Sequence, residues 1–228
     1  MPADDFAAYL RPTDFIDSDH ADIVAFTAET AGDAVGEHDR ALKLFYAVRD
    51  DVRYDPYAVE MRPEGFRAST CLHRRTGFCV TKAVLLAACL RADGIPARLG
   101  FADVRNHLVT ERLRQMMGTD VFAFHGYTDV YLNGKWVKAT PAFNIGLCEK
   151  FRVLPLDFDG VSDSIFHPFD ADGRKHMEYV RDRGVCADLP FDEIRDTFAE
   201  LYPYMSTGDV GGDFHAEAEA EAASTTSG

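Results

Sequence analysis

Apolar side chains recur at helical spacing in the first part of the chain. Between residues 39 and 50, Leu42, Phe45 and Tyr46 fall on one face at i, i+3 and i+4, a spacing that is typical of an amphipathic helix. Residues 21–30 are predicted to form another helix within a more polar stretch. We therefore expect two helices in the first 50 residues, the second of them with an apolar face.

A helix of a different kind is predicted at Cys79–Ala92. No residue from Ala83 to Leu90 carries a charge, so this helix has no polar stripe to turn toward solvent. We expect it to be buried on most of its sides. Gly94 lies where a helix commonly ends and Pro96 follows just beyond it, which predicts that the helix stops there.

Two apolar runs separated by Asn133-Gly134 predict a β-hairpin. The runs are Val121–Leu132 and residues 135–140, and an Asn-Gly link between such runs favours a two-residue turn. This turn brings Tyr131 opposite Trp136 at the closed end of the hairpin.

The same turn decides which side chains share a face of the hairpin. Counting outward from it pairs Asp129 with Lys138 and Tyr127 with Thr140, and facing residues lie on one side of a sheet. We therefore expect an ion pair between Asp129 and Lys138, and Thr140 as the diagonal neighbour of His125. Asp129 lies roughly 13 Å from His125 along the strand, too far for direct contact.

The remaining segments carry weaker patterns. A strand is predicted at residues 97–104, helices at 106–117 and 191–202, and irregular structure at 56–76 and 142–160. From residue 206 onward Gly, Ser, Thr and an alternating Glu-Ala run take over, which predicts a disordered acidic tail over 206–228. We expect a single domain over 1–205, with a core at about 39–141 and an extension over 142–205.

Composition limits the classes of function. The chain has 228 residues, with 24 basic and 38 acidic side chains and a net charge of −14. A protein this acidic repels nucleic-acid backbones and anionic lipid, so we expect neither partner. No apolar run reaches the length of about 20 residues that a membrane helix needs. The N-terminal residues are acidic rather than basic, which argues against a secretory signal and predicts a cytoplasmic protein.

The five cysteines need an explanation other than disulfides. Their odd number and the absence of a CxxC motif argue against a disulfide framework in a reducing compartment. Cys71 and His73 are spaced like a pair of metal ligands, but no second pair accompanies them. We therefore expect neither a metal nor another cofactor.

Cys79 is the strongest candidate nucleophile. It begins the buried helix, where the first backbone N–H groups have no internal partner and carry partial positive charge. A thiolate is stabilised at such a position, so the sequence predicts a lowered pKa and an activated sulfur. The alternative is that Cys79 is a small apolar residue of the core.

A base for this thiol is most plausibly His125. The other seven histidines lie in loops, in polar segments or near helix starts, whereas His125 lies within a predicted strand. An ionisable ring there calls for a functional reason. The alternative is a half-exposed histidine that only fills a strand position.

Two blocks of sequence resemble the bacterial transglutaminase-like superfamily. The first is RRTGFC at residues 74–79 with LRADGIPAR at 90–98, and the second is HGYTDVYLNGKWV at 125–137. They are similar to the nucleophile helix of that family and to its histidine strand and return strand. The resemblance implies an α+β fold with a papain-like core, in which a buried nucleophile helix packs on an antiparallel sheet. It also implies that Cys79 is the nucleophile and His125 the base.

The chain departs from the family pattern at the third catalytic position. Family members usually end the return strand with Asp-Pro-Thr, whereas this chain has Thr140-Pro141-Ala142. A hydroxyl can fix a histidine tautomer but stabilises an imidazolium less than a carboxylate does. Thr140 and, failing that, Asn144 are the candidates for orienting His125.

The expected activity is acyl transfer from a small-molecule or peptide amide, most often to water. Residues predicted to contact the substrate are Lys82, one turn into the nucleophile helix, and the hairpin aromatics Tyr127 and Trp136. Lys82 could equally be a solvated helix residue. Because the usual aspartate is missing, the other hypothesis is a degenerate scaffold that binds a peptide or protein partner without chemistry.

Overall fold

The computed structural model of the protein describes residues 6–107, 109–166, 169–170, 172–202 and 212–225. It has the predicted α+β fold, in which helices pack on an antiparallel sheet. The helices are α1 (Ala7–Leu10), α2 (Ala21–Ala31), α3 (Glu37–Asp51), α4 (Ala68–Arg74), α5 (Cys79–Ala92), α6 (Glu111–Met117), α7 (Ile145–Phe151), α8 (Phe191–Leu201) and α9 (Phe214–Thr225). The strands are β1 (Arg53–Tyr54), β2 (Thr76–Gly77), β3 (Ala97–Asn106), β4 (Val121–Leu132), β5 (Lys135–Ala139) and β6 (Met177–Cys186), and a 3-10 turn covers Pro63–Phe66.

The helix that begins at Cys79 is the centre of the core. All residues of α5 from Cys79 to Arg91 are buried, as the uncharged run predicted. On one side the helix packs against β4, where the Thr128 hydroxyl donates a hydrogen bond of 2.8 Å to the carbonyl oxygen of Ala83. Helices α2, α3 and α4 pack around its other sides. The position of Cys79 is therefore held by the most buried element of the fold.

The predicted hairpin forms in the predicted register. Tyr131 pairs with Trp136 and Asp129 with Lys138 in the four-stranded sheet, whose order is β5-β4-β3-β6. The predicted ion pair between Asp129 and Lys138 is nevertheless wrong. Asp129 instead binds the Arg98 guanidinium on β3, with a separation of 2.7 Å between the nearest nitrogen and oxygen.

Strand β6 was not predicted. It pairs antiparallel with β3 at the edge of the sheet, and most of its residues are exposed or half-buried. An edge strand with so little buried surface does not need alternating apolar residues, so its charged sequence resembles a loop.

Three shorter elements also differ from the prediction. The helix predicted from residue 106 begins only at Glu111, because Asn106 still pairs in β3 and the hydroxyl of Thr110 caps the helix by accepting from the N–H of Leu113. Helices α4 and α7 occupy segments predicted to be irregular. Each has seven residues, too few for a helical period to stand out in the sequence.

The predicted disordered tail is wrong for the segment Phe214–Thr225, which forms α9. The rest of the predicted tail, at 206–211 and 226–228, lies outside the described residues. Within the described part of the chain, no helix is both long enough and apolar enough to cross a membrane.

Candidate active site

The sulfur of Cys79 lies against strand β4 at Gly126. The last paired residues of β4 and β5 are Thr128 and Ala139, so β5 does not pair with the part of β4 that holds His125 and Gly126. Gly126 packs on the first turn of α5. A methyl group at Gly126 would lie 3.0 Å from the Cα atom of Val80, which shows how closely strand and helix approach there.

Backbone amide groups surround the thiol. The N–H groups of Gly126, Val80 and Cys79 itself hydrogen-bond to the sulfur and lower its pKa. Burial acts against them and is stronger, because Cys79 is only 8% exposed, and the pKa is raised to about 11. The predicted lowering of this pKa is therefore wrong for this conformation. The predicted cradle of amide groups at the helix start is present.

His125 precedes Gly126 on β4, so the two residues share the peptide group whose N–H contacts the sulfur of Cys79. The ring of His125 is buried, at 4% exposure for the residue, and packs on Phe166 with 5.0 Å between ring centroids. Burial, followed by the nearby His176, lowers the pKa of His125 to about 4. At neutral pH the imidazole is therefore uncharged, and its buried Nε2 atom has no hydrogen-bond partner among the residues that the structure describes.

Neither predicted orienting residue holds the His125 ring. The hydroxyl of Thr140 is buried and has no hydrogen-bond partner in the described part of the chain, which includes His125, so the predicted bond from Thr140 to the imidazole does not form. The side-chain oxygen of Asn144 accepts from the backbone N–H of Tyr54, at 3.1 Å. Asn144 therefore ties the end of β1 to the start of α7, away from the predicted role.

Lys82 lies in the core and not at a surface that a substrate could reach. It is completely buried, and its ammonium group donates to the backbone oxygens of Arg49 and Val52, at 2.9 and 2.6 Å. The prediction of an anion-binding lysine at the mouth of the site is wrong, because the side chain points back into the core. There it satisfies carbonyl groups at the C-terminal end of α3.

The hairpin aromatics also lie away from Cys79. Tyr127 lines a separate cavity with Lys138, whose ammonium nitrogen is 4.8 Å from the centre of the Tyr127 ring. Trp136 lies under Arg98, 3.9 Å from the guanidinium carbon, and packs with Tyr9 of α1. Trp136 thus anchors the N-terminal helix. Neither Tyr127 nor Trp136 lies beside the Cys79 sulfur, where the sequence predicted that they would contact a substrate.

Sequence patterns missed an aromatic wall beside the candidate pair. Phe143 and Phe166 pack on each other with 5.0 Å between centroids, and Phe166 also contacts His125. Phe143 packs edge-on against Tyr54 at 4.7 Å, and the pKa of Tyr54 is raised by burial and then by Cys79. These residues come from separate loops and strands, so no local spacing could have grouped them.

A buried helix that begins with a cysteine, packed on an antiparallel sheet that carries a histidine, defines a papain-like core. The chain belongs to the transglutaminase-like superfamily, whose core model matches residues 24–141, more than half of its length. No curated protein matches it.

Two solved structures are similar at low identity. One is a "putative cysteine protease" from Cytophaga hutchinsonii, 16% identical with a TM-score of 0.49, covering 79% of this chain and 64% of its own. The other is a "putative protease" from Parabacteroides distasonis, 16% identical with a TM-score of 0.38, covering 52% of this chain and 23% of its own. The chain thus spans less than two thirds of the length of either neighbour.

Proposed function

We propose that the protein is a thiol-dependent acyl-transfer enzyme that hydrolyses an amide, with Cys79 as nucleophile and His125 as base. The observation that carries this proposal is the cluster of backbone N–H groups around the Cys79 sulfur, one of them from the peptide bond between His125 and Gly126. Such a cluster can bind the oxyanion of a tetrahedral intermediate, which is the largest contribution in many acyl-transfer enzymes.

The reaction proceeds in two steps, acylation of Cys79 and hydrolysis of the resulting thioester. As the sulfur attacks the carbonyl carbon, the thiol proton passes to a ring nitrogen of His125; the C–N bond then breaks and the amine leaves with that proton. Water next attacks the thioester while His125 takes one of its protons. Breakage of the C–S bond releases the acid and returns the proton to the sulfur, so the net change is amide plus water to acid plus amine.

Protonation states favour a neutral pair rather than a preformed ion pair. With the pKa of Cys79 near 11 and that of His125 near 4, both groups are uncharged at pH 7. His125 therefore removes the proton during the attack rather than before it. This mode does not require a carboxylate behind the histidine to stabilise a resting imidazolium, which fits the threonine at position 140.

A second candidate function is binding without chemistry. It is favoured by one observation: among the described residues, neither the buried Nε2 atom of His125 nor the buried hydroxyl of Thr140 has a hydrogen-bond partner, so no described polar group holds Nε2 during proton transfer. The acidic residues of the following loop do not supply the orienting group either, since Asp157 binds Arg49 and Asp159 lies beside His38. On this hypothesis the papain-like core would hold a peptide in place of cleaving it.

The two functions are separated by looking for a covalent acyl-enzyme. The full chain is incubated with chromogenic peptide amides and with glutamine- and asparagine-containing peptides, and released amine or ammonia is measured. We expect a thioester on Cys79 by mass spectrometry, loss of turnover in Cys79→Ser, and a loss of about 10²- to 10⁴-fold in His125→Gln.

The matched control is Cys148→Ser. Cys148 is also buried, and burial raises its pKa to about 12. Its thiol, however, donates to the carbonyl of Phe143 and is not the first residue of a helix. Activity that survives in Cys79→Ser would contradict the proposal. Binding of a peptide with no turnover by the wild type would favour the second function.

A further inference from the structure

Helix α9 contacts two segments that adjoin the elements of the Cys79 site. The first is the segment that follows β1. It lies next to the residues that precede Cys79, because Tyr54 of β1 pairs with Gly77 of β2. The second is the connection from β3 to β4, which carries Thr110 and continues into the strand of His125. An element that contacts both segments lies across the space between them.

Glu217 of α9 joins the two segments directly. Its Oε2 atom accepts a hydrogen bond of 2.5 Å from the hydroxyl of Tyr57 and one of 3.5 Å from the hydroxyl of Thr110. These two hydroxyls lie 3.4 Å apart, and Arg112 adds an ion pair to the other carboxylate oxygen at 3.6 Å. A single carboxylate thus links β1's loop, the β3–β4 connection and α9.

An aromatic anchor precedes Glu217. Phe214 is only 3% exposed, and its ring packs on Tyr54, Tyr57 and Phe151 with centroid distances of 5.9, 5.7 and 5.6 Å. Next to it, a ring nitrogen of His215 lies 2.8 Å from the backbone oxygen of Tyr54. Tyr54 is close enough to Cys79 for the thiol to raise the pKa of its hydroxyl, after burial, so the anchor packs on a neighbour of the candidate nucleophile.

Charge holds the rest of the segment. Asp213 pairs with Arg53 at 2.6 Å and Glu219 pairs with Lys150 at 2.8 Å. These partners are partly exposed, and exposed ion pairs are individually weak and screened by salt. Arg53 and Lys150 therefore supply basic partners for an acidic segment, and these two ion pairs can be broken without unfolding the core.

We propose that residues 213–221 are an intramolecular cover on the Cys79 site, which must move aside before a substrate reaches the sulfur. That the cover regulates an enzyme rests on the proposed function. That these residues shield Cys79 from solvent does not. The segment keeps Cys79 from solvent in the state described here, and high ionic strength or a competing acidic segment favours the open state.

The test measures how fast iodoacetamide modifies Cys79 in the full chain, with peptide mass spectrometry as readout and the half-buried Cys186 as internal reference. Glu217→Lys should raise the Cys79 rate relative to Cys186 by about 5- to 30-fold, because it removes two hydrogen bonds and reverses one ion pair. Glu200→Lys is the matched control, since it makes the same charge change on an exposed position of α8. Added sodium chloride should raise the wild-type rate in the same direction.

A charge swap protects the test against misfolded variants. Lys150→Glu and Glu219→Lys should each raise the rate, and the double variant should return it toward the wild-type value. An unchanged rate in Glu217→Lys, in Phe214→Ala and at high salt would overturn the cover. If the variants label faster but neither they nor the wild type hydrolyse any amide, the proposed function is refuted and the cover stands. If the protein hydrolyses amides but neither labelling nor hydrolysis responds to these changes, the cover is refuted and the proposed function stands.

Discussion

The carboxylate of Asp103 accepts a hydrogen bond from the backbone N–H of Phe124, 3.1 Å away, one residue before His125. Phe124 has a φ angle of +55°, a left-handed conformation that costs about 1–2 kcal/mol for a side chain of this kind. The register between β3 and β4 shifts at this point, so the strand has a bulge in which the Phe124 amide leaves the ladder. Asp103 satisfies that amide, and Arg183 binds the same carboxylate at 2.5 Å.

Replacing Asp103 should loosen the bulge that precedes His125. Asp103→Ala leaves the buried N–H group of Phe124 without its acceptor and removes the nearer of the two carboxylates that pair with Arg183, so we expect a loss of about 1–3 kcal/mol in the free energy of unfolding, measured with urea. Asp103→Asn keeps an oxygen that can accept from Phe124 and should cost clearly less. Asp51→Ala, at an exposed position of α3, is the control. Equal losses for the alanine and asparagine variants would contradict this explanation.

Thr140→Val should be tolerated, although the sequence pattern placed Thr140 behind the histidine. Its buried hydroxyl has no hydrogen-bond partner among the described residues, so a methyl group in its place removes an unsatisfied polar atom. We expect unchanged or slightly raised stability, within about 1 kcal/mol, and turnover within a factor of about two. Thr128→Val is the matched control, because that hydroxyl donates to Ala83 and its loss should cost about 1 kcal/mol. A large loss of turnover in Thr140→Val alone would restore Thr140 to the catalytic group.

Lys82 should make stability depend on pH above neutrality. Burial lowers its pKa from 10.5 to about 7 in the folded protein, while the unfolded chain keeps the ordinary value. Between pH 7 and 10.5 the unfolded state therefore holds more protons, and the free energy of unfolding rises with pH by at most ~1.4 kcal/mol per unit. Below pH 7 both states are protonated and this contribution is flat. Urea titrations at several pH values should show the rise in the wild type and its absence in Lys82→Met.

Labelling of Cys79 should follow the raised pKa rather than that of an activated thiol. Because the pKa is about 11, the thiolate fraction should increase about tenfold per pH unit between pH 7 and 10, while a free thiol with a pKa of about 8.5 levels off above that value. Iodoacetamide rates for Cys79, set against a small thiol in the same solution, provide the measurement. A plateau below pH 8 would mean that the amide groups at the helix start outweigh burial after all.

Local patterns in the sequence determined the elements that carry the candidate pair. The uncharged run between Ala83 and Leu90 predicted a buried helix with Cys79 at its start, and the turn at Asn133-Gly134 predicted the pairing of β4 with β5. These predictions hold because helix and strand periods, and the geometry of a two-residue turn, depend on residues that are neighbours in the chain.

Only the tertiary structure decided what surrounds those elements. Lys82 points to carbonyl groups about thirty positions earlier, and Glu217 meets Tyr57 across 160 positions, contacts that no local spacing encodes. The same holds for the pKa of Cys79: the helix start can be identified from the sequence and favours the thiolate, but the dominant contribution is burial. Burial depends on how distant segments pack over the sulfur, so its sign and size emerge only when the whole chain is folded.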